Sequence, residues 1–183
     1  DLLHHGHMNV LAKAASLGDV VVGLLTDQAI SEYKRLPYLN YDHRKIIVEG
    51  LKGVTEVIPQ SSMDYTDNLM IVKPDYVVHG DDWRSGVLEK TREQVVILLK
   101  EWGGELVEVP YTKDISSSSM NKALKEIGTT PDVRRATLRR LIAAKPIIRF
   151  LDIHNALSGL IIENVSVEKE GRLREFDGLW CSS

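Results

Sequence analysis

The sequence predicts a doubly wound α/β fold built on a parallel sheet, and three observations carry that prediction. Val20-Val21-Val22-Gly23-Leu24-Leu25 is an unbroken apolar run between turn residues, Asp75 to His79 and Glu105 to Val109 repeat the pattern, and helical segments separate the runs. Strands covered on both faces read as continuous apolar stretches, and their alternation with helices marks parallel strands joined by right-handed crossovers. Ligands bind such sheets outside the carboxyl ends of the strands.

The elements follow in order. A helix begins near Gly6, with Met8, Val10, Leu11 and Ala14 as its apolar stripe, and stops at the Leu17-Gly18-Asp19 turn. After the strand at 20–25, a helix is expected from about Tyr41 to Lys52, then a strand from Val54 to Ile58 closed by Pro59. In the next strand Tyr76, Val77 and Val78 are expected to be buried, with Gly80-Asp81-Asp82 at its carboxyl end. A helix from Lys90 to Trp102 ends at Gly103-Gly104, and the strand from Glu105 to Val109 is stopped by Pro110.

After Asn121 the character changes. Arg134, Arg135, Arg139, Arg140 and Lys145 fall on a helical period, giving a basic connecting helix whose charges equally suit a solvated face. Beyond Pro146, the runs 147–151 and 160–163 belong to a different unit. The expected organisation is a first domain at 1–128, a linker helix at 129–146 and the start of a second domain at 147–183. The chain opens on Asp1 with no initiator Met and ends soon after an apolar stretch, so both ends are read as cut.

Composition excludes several classes. The 183 residues are 43% apolar and 27% charged with a formal charge of -3, which offers no electrostatic footprint for nucleic acid. No stretch approaches the roughly 20 apolar residues of a membrane span, and no signal segment opens the chain, so a cytoplasmic location and no membrane partner are expected. Cys181 is the single cysteine, which rules out an internal disulfide and suggests no metal cluster.

Chemistry concentrates in His4-His5-Gly6-His7. The first and last imidazoles lie three residues apart at the opening of a helix, so both can face one side; Gly6 lets phosphates approach the backbone, and the helix N-terminus adds amide donors and a positive dipole end. That is a phosphate cradle with two titratable donors. Three histidines in four residues also occur as incidental metal-binding or tag-like runs, but this run is embedded between Leu2-Leu3 and the Met8–Leu11 helix. Such a cradle suits nucleotidyl transfer, in which charge on the oxygens around the α-phosphorus must be held while pyrophosphate leaves.

Asp1-Leu2-Leu3-His4-His5-Gly6-His7, Tyr41-Asp42-His43-Arg44-Lys45, Val57-Ile58-Pro59, Gly80-Asp81-Asp82-Trp83 and Thr112-Lys113-Asp114-Ile115-Ser116-Ser117 follow one another in the order of the HxGH nucleotidylyltransferase motifs. The chain resembles that family, in its glycerol-3-phosphate cytidylyltransferase branch. The resemblance implies a Rossmann-like fold, CTP as substrate with Mg2+, and a homo-oligomer. It also implies roles: His4, His7, Lys34 and Ser116 as catalytic groups; Asp1, Gly6, Arg44, Gly80, Asp81, Asp82, Trp83, Thr112, Ile115 and Ser117 as nucleotide-binding; Arg35 and Tyr111 as acceptor-binding. No protein-bound metal site is expected apart from the magnesium that accompanies CTP. Structural alternatives stand beside these roles: Arg44 paired with Asp42 or Glu49, Trp83 as a core anchor, and the serines as an N-cap before Met120. The chain departs from the family pattern at Tyr111, where the motif opens with arginine, and at Asp114, where it has glycine. Tyr111 supplies no fixed charge, so the grip on acceptor or triphosphate must differ.

The tail carries a second resemblance. Arg149 to Ile161, followed by Phe176 to Ser183, resembles the opening of phosphoenolpyruvate phosphomutases, barrels of the isocitrate lyase superfamily. There the Trp-x-Ser segment after the first strand binds phosphoryl and carboxylate groups, and Trp180, Ser182 and Ser183 match it. A cytidylyltransferase placed ahead of such a mutase resembles the bifunctional enzymes of the fosfomycin pathway. It implies a small phosphonate as acceptor, 2-hydroxyethylphosphonate or 2-aminoethylphosphonate. Transfer to a phosphorylated alcohol such as glycerol 3-phosphate, and a non-catalytic nucleotide-binding domain, are the alternatives.

Overall fold

In the computed structural model the description covers residues 2–32, 35–84, 88–110, 120, 124, 128, 130–169 and 172–181. The elements are α1 (His5–Ala15), β1 (Val20–Leu25), α2 (Asp27–Ser31), α3 (Tyr41–Glu49), β2 (Val54–Gln60), α4 (Thr66–Val72), β3 (Tyr76–Gly80), a 3-10 turn (Asp81–Arg84), α5 (Glu89–Leu99), β4 (Glu105–Val109), α6 (Pro131–Ala144), β5 (Phe150–Ile153), α7 (Ala156–Asn164), β6 (Val167–Lys169), β7 (Arg172–Arg174) and β8 (Gly178–Cys181). They form two units, Asp1–Thr26 with Tyr38–Thr129, and Asp27–Pro37 with Thr130–Ser183.

In the first unit the strands are parallel, as the apolar runs and intervening helices require. β1 pairs with β2, with Val22 opposite Val57 and Leu25 opposite Gln60. β3 pairs with β4, with Val77 opposite Leu106 and Gly80 opposite Val109. Among the described residues the hydrogen bonds form these two separate pairs, and α1 packs against β1, β3 and β4. The carboxyl ends of β3 and β4 therefore finish together, and α1 runs alongside them.

The core sits between β3, β4, α4 and α5. Thr91, Val95 and Leu99 face inward at four-residue spacing, and Val95 and Leu99 join Leu69 and Trp83 in one buried cluster. Burying each apolar side chain of this size contributes roughly 1.5–3 kcal/mol. The Trp102 indole N–H donates to the Pro74 carbonyl at 2.9 Å. A Cβ at Gly104 would lie 2.8 Å from both Leu99 Cδ2 and the Pro74 oxygen, which is why the chain turns there on glycine.

Several local expectations change. Pro59 lies inside β2, opposite Leu24, and does not close it; β2 is hydrogen-bonded on its β1 side, and a proline is tolerated where no second ladder needs its missing N–H. Val21 and Gly23 of β1 and Tyr76 of β3 are exposed, so these strands are less enclosed than continuous apolar runs suggest. Helix α3 ends at Glu49 with Gly50 as its C-cap, and α5 ends at Leu99, leaving Trp102 in the following turn. Helix α4 has no counterpart in the apolar pattern; its N-cap is Tyr65, and the Asp64 carboxylate before it accepts the Thr66 N–H at 2.9 Å.

The second unit joins α2 to α6. Ser31 Oγ donates to the Ala144 carbonyl at 3.1 Å, and Arg140 meets Asp27 at 3.3 Å. β5 and β8 are parallel, with Phe150 opposite Gly178, while β6 and β7 make an antiparallel hairpin. Asn155 caps α7 by accepting the Ser158 N–H at 2.9 Å. Asp177 binds the Lys145 ammonium and accepts the Arg149 N–H at 2.9 Å, tying the approach to β5 to the approach to β8. Among the described residues no helix is long and apolar enough to cross a membrane.

Candidate active site

The start of α1 is built by its own histidines. His4 is the N-cap, with extended backbone, and its Nδ1 accepts the Gly6 N–H at 3.2 Å. His7, one turn on, returns the contact: its Nδ1 accepts the His4 N–H at 3.3 Å. Capping boxes normally use Ser or Thr with Glu or Gln; here two imidazoles do both jobs, with ring centroids 4.0 Å apart. Because each Nδ1 accepts, each neutral ring carries its proton on Nε2. The pair is thus a fixed set of two Nε2–H donors at a helix N-terminus.

Electrostatics keeps these rings neutral. Burial first, and then the adjacent His5 imidazole, lowers the His4 pKa below the ordinary histidine value. Burial first, and then His4, lowers that of His7, against a smaller opposing effect of the Asp82 carboxylate. Helix α1 packs on β3, the strand that ends at Gly80 and leads into Asp81-Asp82. A Cβ at Gly80 would lie 2.9 Å from Asp82 Oδ1, so glycine is what allows this carboxylate to fold back over the strand end.

Trp83 takes the packing alternative. It is 0% exposed, and its Nε1–H donates to Glu108 Oε1 at 3.0 Å. Enclosed in this way, the side chain packs in the core and anchors the turn that carries Asp81 and Asp82. Glu108 is the hub of that anchor. It also receives Arg92 (Nε at 2.8 Å) and Arg84 (Nη2 at 2.6 Å), and these guanidiniums, with the indole N–H, hold its carboxyl far below the usual carboxylate range. Neither Glu108 nor its two arginines belongs to a motif of the sequence. The available signal was a glutamate in the otherwise apolar end of β4.

The surroundings of other expected residues differ. Arg44 is 3% exposed on α3, its guanidinium carbon 5.8 Å from the centre of the Tyr41 ring. Glu49 pairs with Lys45 at 3.5 Å. Arg35 is in the second unit, with Nε 2.8 Å from Glu175 Oε2, so the cation expected at the acceptor is already engaged by a carboxylate. Trp180 is an exposed residue of β8. Asp1, Lys34, Tyr111, Thr112, Ile115, Ser116, Ser117, Ser182 and Ser183 lie outside the described residues.

Parallel strands, a histidine-capped helix and a Gly-Asp-Asp turn at one sheet end define a nucleotidyltransferase-type α/β domain. The cytidylyltransferase-like family model matches residues 1–123, and the chain belongs to that family. It is 32% identical over 126 residues to the glycerol-3-phosphate cytidylyltransferase of Bacillus subtilis, covering 68% of this chain and 90% of that protein. It is 36% identical over 126 residues to the ethanolamine-phosphate cytidylyltransferase of Arabidopsis thaliana, covering 66% of this chain and 29% of that one. Among solved structures, the lipopolysaccharide core biosynthesis protein of Thermoplasma volcanium superposes with a TM-score of 0.50 at 23% identity, over 63% of this chain and 91% of that one, a likeness of fold alone.

Proposed function

We propose that this protein transfers the cytidylyl group of CTP to an ionised oxygen on the head of a small phosphonate, releasing pyrophosphate. The observation that carries the transfer is the reciprocal His4–His7 cap, which fixes two Nε2–H donors at a helix N-terminus. The acceptor oxygen attacks the α-phosphorus, the bond from that phosphorus to the oxygen bridging to the β-phosphate breaks, and pyrophosphate leaves with the electron pair. The acceptor oxygen becomes the bridge of the new P–O–P linkage. An acceptor oxygen already ionised at neutral pH needs no strong base, so positioning and charge neutralisation suffice. His4 and His7 hold charge developing on the phosphate oxygens, and the helix terminus adds backbone donors.

Mg2+ bound with CTP would supply neutralisation of triphosphate charge. Among the described residues no group of three His, Cys, Asp or Glu is arranged to hold a metal ion alone. Nucleotide-bound Mg2+ is held through one or two carboxylates plus the substrate phosphates, and Asp81 and Asp82 are of that chemistry.

The phosphonate head rests on the resemblance of residues 149–183 to phosphoenolpyruvate phosphomutases, which pairs the transferase with phosphonate formation in one protein. A second reading is a phosphorylated alcohol, favoured by the relatives named for glycerol 3-phosphate and ethanolamine phosphate. The experiment is pyrophosphate release with each of the four ribonucleoside triphosphates against 2-hydroxyethylphosphonate, 2-aminoethylphosphonate, glycerol 3-phosphate and ethanolamine phosphate. CTP with a phosphonate is expected to be fastest. Turnover with CTP and a phosphate ester alone would replace the first reading by the second, and no turnover with any pair would remove both.

A further inference from the structure

We propose that His79 is a positioning residue of the transferase site, holding the Asp82 carboxylate at the carboxyl end of β3, the strand on which α1 packs. The inference deepens the reading above and rests on it for its kinetic part. His79 is the next-to-last residue of β3, where the strand delivers the Gly-Asp-Asp turn. Its ring lies parallel to the Trp83 indole, with centroids 3.8 Å apart and planes 10° from parallel. Trp83 is itself buried and fixed through its N–H to Glu108, so the imidazole is stacked on an immobile surface.

The polar edge of the ring is equally constrained. His79 Nδ1 lies 2.8 Å from the Gly80 carbonyl oxygen, which can only accept, so Nδ1 carries the proton. The same Nδ1 is 3.8 Å from Asp82 Oδ1, too long for a hydrogen bond but close enough for attraction between the N–H dipole and the carboxylate. On its other side this carboxylate rests against the bare Cα of Gly80. Asp82 is thus confined between the glycine and the imidazole edge. The contacts run from Glu108 through Trp83 and His79 to Asp82, at the end of the strand on which α1 packs.

Two substitutions in the full chain separate the stack from the donor. His79→Phe keeps a flat ring on Trp83 and removes the N–H; His79→Asn gives up the ring and keeps an N–H donor near the Nδ1 position. With CTP and the best acceptor, His79→Phe is expected to lower kcat for pyrophosphate release about tenfold while KM for CTP changes less than about threefold. His79→Asn is expected to return kcat to within about threefold of wild type. The His7 ring resonances in NMR spectra at fixed pH are expected to move in the phenylalanine variant and return towards wild type in the asparagine variant. Wild-type kcat and unmoved His7 signals in His79→Phe would overturn the proposal, as would an asparagine variant as impaired as the phenylalanine one. If His79→Phe does not fold, His79→Leu, which also lacks the donor, is read beside His79→Asn: a slowed leucine variant with moved His7 signals and a near-wild-type asparagine variant support the proposal, and two variants that behave alike contradict it. An inactive wild-type protein would sink the transfer reading, while the His7 resonances would still decide whether His79 positions Asp82.

Discussion

His7 Nδ1 accepts the backbone N–H of His4 at 3.3 Å, so the last histidine of the motif closes the helix cap that the first one opens. The cap and the proposed chemistry rest on the same two rings, and substitutions can separate them. His4→Ala and His7→Ala are each expected to slow pyrophosphate release by on the order of a hundredfold, the loss typical of removing one preorganised donor. The alanine at the N-cap also costs about 1 kcal/mol. His4→Asn keeps a capping oxygen but no Nε2–H, so it should keep the thermal stability and lose the turnover. Wild-type rates in both alanine variants would remove these residues from the chemistry.

The same geometry fixes the sign of a pH effect. Both rings have folded-state pKa values lowered from the ordinary histidine value, so the folded state binds fewer protons than the unfolded one as these groups titrate. Their contribution to stability is therefore present above about pH 6.5 and is lost as pH falls below it. Protonation would also place a hydrogen on each Nδ1 that now accepts a backbone N–H. Thermal unfolding followed from pH 7.5 to 5.5 should fall more steeply for wild type than for the His4→Asn, His7→Asn double variant. Parallel profiles would contradict the lowered values.

Trp83 is expected to matter for stability and little for nucleotide affinity. Trp83→Ala should cost about 3–5 kcal/mol in denaturant unfolding, the usual result of emptying an aromatic site in a core. Trp83→Phe should lose the Glu108 hydrogen bond and keep KM for CTP within about twofold. A large rise in KM with unchanged stability would return Trp83 to the nucleotide.

Glu108 joins three donors from two elements, so its loss should exceed that of a surface ion pair. Glu108→Gln leaves two guanidiniums and an indole N–H around a neutral amide, and about 1–3 kcal/mol of stability should disappear, discounted because both arginines are partly exposed. Because the glutamate's folded pKa is depressed, the stability it contributes is fully present above the ordinary carboxylate range and is lost progressively as pH falls through and below that range, so the difference from the variant should be smaller at pH 3 than at pH 7. Unfolding of the wild type and the variant at pH 7 and pH 3 tests both statements.

Much of this site was legible because chemistry and local structure coincide in it. The His4-x-Gly6-His7 spacing announced the helix start that His4 caps, and the apolar runs 20–25, 75–79 and 105–109 announced parallel strands. What escaped were contacts that depend on distant pairing. Glu108 meets Arg84 and Arg92 only because β3 and β4 finish side by side, with Gly80 opposite Val109. Trp83 sits in a motif that suggested ligand contact, yet the 3-10 turn directs its indole into the core. Arg35 was read from chain order as part of the first domain, but Asp27–Pro37 packs with α6, and Glu175 is 140 residues further along the chain. Helix α4 begins at a Tyr65 N-cap without a side-chain capping bond, so the sequence shows no helix-start residue at that position.

The acceptor separates the two proposed readings. Activity with 2-hydroxyethylphosphonate or 2-aminoethylphosphonate should exceed that with glycerol 3-phosphate by at least about tenfold, a difference of only about 1.4 kcal/mol in transition-state binding. Initial rates of pyrophosphate release at subsaturating acceptor give the ratio directly. A ratio favouring glycerol 3-phosphate would transfer the proposal to the phosphorylated alcohols.

The most direct test of cytidylyl transfer at the histidine-capped helix is phosphorus NMR of the protein incubated with CTP, magnesium and the best acceptor, run in parallel with His7→Ala. The wild type should produce inorganic pyrophosphate and a new P–O–P product in equal amounts, with the variant slowed by on the order of a hundredfold. CTP left unchanged, CTP cleaved to CDP and phosphate, or equal product formation by the variant would contradict it.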